Sequence, residues 1–123
     1  MADMAAMFTD AKVHELKSLL EGSGIRFQVD SWEDANNTMG DMDYGVIELT
    51  GAPVTVWGDN RIVYQDIQGN VVIYVSDGEV DKAKRVQEIL TTIDLSFALT
   101  STEYLQDQGK RRWTWRFDMA RGM

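Results

Sequence analysis

Closely spaced carboxylates are the first residues with the types to do chemistry. Asp41, Asp43 and Gly45 have the start of a calcium-loop pattern. Such a loop needs an oxygen ligand at its fifth position and a glutamate at its twelfth. Gly45 and Ala52 stand there, so the pattern fails, and Asp34, Asp41 and Asp43 are expected to form a solvated acidic loop. His14 is the single histidine, and the chain has no cysteine. A lone histidine can act as a general base, but the spacing sets no nucleophile beside it. It reads as a surface or boundary residue. Carboxylate pairs can hydrolyse glycosidic bonds, yet 20 acids in 123 residues produce such pairs by chance. Neither G-x-x-x-x-G-K-[ST] nor G-x-G-x-x-G occurs, so nucleotide binding has no motif behind it. No catalytic set emerges from these residues.

Aromatic and basic residues are the second group. Trp113, Trp115 and Arg116 could form a stacking platform for nucleic acid. Strict alternation instead places Trp113, Trp115, Phe117 and Met119 on one face of a strand, the face a sheet packs on helices. Lys110, Arg111 and Arg112 read as a charged hairpin end that protects a strand edge. Trp32, Met39, Met42 and Trp57 fall in stretches read as loops. Tryptophan is favoured at interface centres and methionine packs adaptably there. These four are therefore candidates for self-association.

The elements that must position these groups follow from periodicity. A helix is expected over residues 10–20, with Val13, Leu16, Leu19 and Leu20 on one face and Gly22-Ser23-Gly24 as its stop. Ile25, Phe27 and Val29 alternate as a strand. Residues 31–43 form a long polar loop, the kind that is usually functional or disordered. A strand follows over residues 44–50; beyond Pro53, residues 54–57 read as a short extension or an extended arm. Gly58-Asp59-Asn60 is a turn signal. Ile62, Val63, Tyr64 and Ile67 are β-prone, and Gly69-Asn70 reads as a bulge or tight turn. The unbroken apolar run 71–75 predicts a central strand buried on both faces. Ser76 and Glu79 have capping-box spacing for a helix over 79–92, with Val80, Ala83, Val86, Leu90 and Ile93 as its stripe. Leu95, Phe97 and Leu99 start another strand, and Asp107-Gln108-Gly109 is a hairpin turn before the last one. This order predicts an α+β fold: a mainly antiparallel sheet packed with two helices, with long protruding loops. Residues 1–9 are read as a flexible arm, 10–119 as a single domain and 120–123 as a tail.

The net charge is −8, from 12 basic and 20 acidic side chains, and 44% of residues are apolar. The length suits one domain with a real core. No apolar run approaches the roughly 20 residues needed to cross a bilayer, and residues 1–9 lack the marks of a signal peptide. The expected setting is inside a cell, and the negative balance argues against nucleic acid or an anionic membrane as main partner. The balance is uneven: residues 1–60 hold 3 basic and 11 acidic groups, residues 61–109 hold 4 and 8, and residues 110–123 hold 5 and 1. Such polarity suits copies that meet head to tail, because complementary patches fix register.

Residues 10–118 also show a pattern of elements that resembles the tail terminator (tail completion) proteins of long-tailed bacteriophages. The matching text is the acidic turn Asp59-Asn60 leading to Tyr64, then Val71-Val72-Ile73-Tyr74-Val75 and Ser76-Asp77. A helix, two closing strands and a front helix with its strand complete it. The resemblance implies a non-enzymatic, ring-forming virion protein without a cofactor, commonly a hexamer, on the head-proximal end of the tail tube. It would be made in the host cytoplasm. It would stop tube polymerisation and present a surface to the head connector or adaptor proteins. Its partners would be its own copies, the tail tube protein and the connector. DNA would only pass through an acidic lumen, which repels it. The contact residues expected on this basis are Trp32, Met39, Met42, Trp57, Asp59, Asn60, Arg61, Arg111 and Arg112. The alternative is an acidic DNA-mimic protein that inhibits a host nucleic-acid enzyme.

Overall fold

A computed structural model of the chain describes residues 13–29, 43–50, 54–58, 61–76, 78, 80–93 and 95–122; at 54–58, 61–66 and 120–122 only the backbone is described. Helix α1 occupies residues 13–20 and tightens into a 3-10 turn over Glu21–Ser23. Strands β1 (Arg26–Val29), β2 (Tyr44–Leu49), β3 (Val54–Gly58) and β4 (Arg61–Ser76) follow, then α2 (Val80–Thr92), β5 (Ser96–Leu105) and β6 (Lys110–Gly122). The order across the sheet is β1-β2-β4-β6-β5, with β3 also paired to β4. Only β1 and β2 run parallel; β2–β4, β3–β4, β4–β6 and β5–β6 are antiparallel. This is the α+β fold that the sequence predicts. The expected long loop over 31–43 falls almost wholly outside the described residues, as does the expected arm at 1–9.

The sheet has one face toward the helices. Cross-strand partners share a face, so the register puts Ile47, Val71 and Trp115 in one row and Ile73 and Trp113 in the next. Val13, Leu16 and Leu20 of α1 and Ala83, Val86 and Leu90 of α2 close over that face, with Phe27, Trp115 and Phe117 among the largest buried side chains. The tryptophans of β6 therefore belong to the core rather than to a stacking platform. Leu19 and Val80 are each 45% exposed and stand outside the core, contrary to the expected apolar stripes. Each lies at the edge of its helix's apolar arc, where packing geometry rather than periodicity decides burial.

β4 is the axis of the fold. Its buried run Val71, Val72, Ile73 and Val75 is central, as expected. Gly69-Asn70, however, is neither bulge nor turn, since β4 passes through it in unbroken register with β2 and β6. The glycine is there for space. A Cβ on Gly69 would lie 2.1 Å from the Glu48 carbonyl oxygen, and one on Gly45 would lie 2.3 Å from the Phe27 ring. Gly69→Ala is expected to destabilise the fold by about 1–3 kcal/mol, the usual range for overpacking, measured as a lower urea midpoint with an unchanged slope.

Ahead of Ile67, β4 pairs with β3 and with the end of β6, where Tyr64 pairs with Gly122. Trp57 thus lies in strand β3, not in a loop. The β5–β6 hairpin closes as expected over residues 106–109. Gly109 has φ +65° and donates its N–H to the Leu105 carbonyl at 2.9 Å.

Candidate functional site

The second face of the sheet carries the chain's most organised polar structure. Among the described residues no helix covers it. One cross-strand row runs over all five strands of the main path: Arg26 opposite Tyr44, Tyr44 opposite Tyr74, Tyr74 opposite Arg112, and Arg112 opposite Glu103. Period-two alternation aims these side chains to one face, and the register alone brings them together. The Tyr44 and Tyr74 rings stack with centroids 4.6 Å apart and planes 19° apart. Arg112 hydrogen-bonds Tyr74 and forms an ion pair with Glu103. The Tyr74 hydrogen bond, above all, and the Glu103 charge hold the Arg112 guanidinium above its usual value, against partial burial. Burial, and then Tyr74, push the Tyr44 phenol up, so it stays neutral across the physiological range.

Beside this row sits a tighter cluster. Asp43, just before β2, accepts from the backbone N–H of Ser76 at 3.0 Å and from its hydroxyl at 3.3 Å. Lys82 of α2 donates to its other oxygen at 2.5 Å, and Lys110 of β6 approaches at 3.5 Å. The Asp43 and Lys110 side chains are only 9% and 4% exposed. Lys110 also lies over the Tyr44 ring, 6.0 Å from its centroid. Two expectations are corrected here. Asp43 is not part of a solvated acidic loop but the centre of a partly buried ion cluster, in which the Lys82 side chain is 31% exposed. Lys110 is not a charge on a protected edge, because β6 is an inner strand between β4 and β5. Ser76 ends β4 and engages Asp43; its expected capping partner, Glu79, lies outside the described residues.

Burial would raise the Asp43 carboxyl. The Lys82 hydrogen bond, the Ser76 N–H and the charges of Lys82 and Lys110 outweigh that and hold it below its ordinary 3.8. A value lower in the folded than in the unfolded chain adds stability above the unfolded value, lost as pH falls through the folded one. Urea midpoints are therefore expected to fall between roughly pH 5 and pH 2, and Asp43→Asn should flatten that part of the profile.

The expected contact residues do not converge. Trp32, Met39, Met42, Asp59 and Asn60 lie outside the described residues. Trp57 and Arg61 stand at the far tip of the β3–β4 hairpin, where Trp57 opposes Ile62. Arg111 and Arg112 are at the other end of the sheet, opposite Val75 and Tyr74. At about 3.3 Å per residue along β4, the two groups are roughly 40 Å apart. His14 is exposed on α1. Sequence reasoning missed Arg26, Tyr44, Tyr74, Lys82 and Glu103. The only signal was the alternation that puts a polar or aromatic residue on the outer face of each strand.

Fold and site together define an α+β protein whose second sheet face carries a charged and aromatic row from edge to edge, with Tyr44, Val46 and Val72 buried on that face. No protein-family model matches the chain, and no curated protein matches it significantly.

Proposed function

We propose that this chain is a structural virion protein that assembles as a ring on the head-proximal end of a phage tail tube. There it stops tube polymerisation and forms the surface for the head connector or adaptor proteins. The observation that carries this reading is the order of elements. A helix and strand, α2 and the β5–β6 hairpin come in the order that the resemblance to tail terminators implies, with one long β4 in place of its two successive strands. The cross-sheet row adds support. It starts in Arg26 at one sheet edge and ends in Glu103 at the other, which suits copies joined head to tail in a closed ring. The acidic-mimic alternative has less behind it, because Asp43 and Glu103 are engaged by lysine and arginine of the same chain.

The deciding experiment is electron microscopy of particles made without this protein. Overlong tails that fail to join heads are the expected result. Tails of normal length joined normally to heads would overturn the proposal.

A further inference from the structure

Among the described residues the strand order leaves two edges. There β5 pairs with β6 alone, and residues 98–104 are exposed, including Leu99 at 43% and Tyr104 at 45%. It is ten residues long with one charged residue, Glu103. Long neutral edges of this kind are templates for adding a strand; the one local irregularity is a register shift between Leu99 and Ser101. The opposite edge is β1, whose one charged residue is Arg26. Among the described residues no strand pairs with its outer side, and the Phe27 N–H is held instead by the Glu21 carboxylate at 3.3 Å.

The two edges match in direction. β1 runs parallel to β2, β2 opposes β4, β4 opposes β6 and β6 opposes β5. β5 therefore runs opposite to β1, and a neighbour in the same orientation meets it as an antiparallel partner. They also match in charge and face. Arg26 and Glu103 end the same cross-sheet row, so they lie on one face. Setting them opposite each other places Phe27 against Thr102 and Gln28 against Ser101, each pair again on a shared face.

We infer that β5 of one copy pairs antiparallel with β1 of the next, with Arg26 opposite Glu103. The Arg-Tyr-Tyr-Arg-Glu row then continues from copy to copy. This names the contact of the self-association proposed above and rests on it. Glu21 closes the β1 edge in the free chain and is displaced as the β5 backbone arrives. The overlap is at most the four residues of β1, so each contact is weak and association depends on concentration.

The chain has no cysteine, which makes the test direct. The double variant Gln28→Cys with Ser101→Cys, oxidised at high protein concentration, should give a ladder of multimers with a 28–101 disulfide identified by mass spectrometry. Each single-cysteine variant should give almost none. Arg26→Glu added to the pair should cut the ladder tenfold or more while circular dichroism is unchanged. Three results overturn the inference: crosslinking by Ser101→Cys alone to the same extent, which means β5 pairs with itself; an undiminished ladder with Arg26→Glu; or rings seen by light scattering without the 28–101 bond. The last leaves ring assembly standing. A chain that stays monomeric both alone and on purified tail tubes removes the contact and the ring together.

Discussion

Asp43→Ala should lower folding stability by about 3–5 kcal/mol, the range for removing one partner of a buried ion pair. The side chain is small, so lost packing does not explain a loss of that size. The substitution takes the shared carboxylate from Lys82 and from Lys110, whose side chain is 4% exposed. It also takes the acceptor from the Ser76 N–H. The same carboxylate joins the start of β2 to the end of β4, to α2 and to β6, so the loss should be felt at four elements. Urea unfolding measures it. A double-mutant cycle with Lys110→Met separates the pair from its parts, because removing both charges should cost less than removing Asp43 alone. A loss below about 1 kcal/mol, the level of an exposed pair, would show that the cluster is solvated after all.

Trp115→Ala should cost a similar about 3–5 kcal/mol, as truncation of a large buried aromatic does. Trp115 is 1% exposed in the middle of the helix-facing sheet layer, and its Nε1–H donates to the Gln87 side chain at 3.2 Å. The cavity would open between α2 and β6, where the Gln87 side chain meets the Trp115 indole. Calorimetry should show a markedly lower melting temperature. Trp113→Ala, at a partly buried position on the same strand, should cost less. A reversed ranking would mean that β6 has slipped by two residues, since positions 113 and 115 share a face and a one-residue shift would turn both away from the helices.

The elements themselves were legible in the sequence. Apolar residues recur at helical spacing in Val13, Leu16 and Leu20 and at strand spacing in Trp113, Trp115 and Phe117, and a local period needs no partner to be read. The unbroken run at Val71–Val75 likewise announced a central strand. Edge positions were not legible. Leu19 and Val80 carry apolar side chains beside the stripe, and only the angle at which each helix lies on the sheet left them exposed. Gly69 was misread because a backbone 2.1 Å from an absent Cβ belongs to another strand.

The surface was legible least of all. By itself, the sequence determined helix and strand content, the α+β class and which face of each strand is apolar, because hydrophobic periodicity is a property of neighbouring residues. Only the tertiary structure decided that Asp43 meets Lys82 and Lys110, and that Arg26, Tyr44, Tyr74, Arg112 and Glu103 stand in one row. Those groupings depend on strand order and register among segments up to 86 residues apart, the separation of Arg26 and Arg112 in one row. Register is set by packing of the whole sheet on its helices, and no local pattern encodes it.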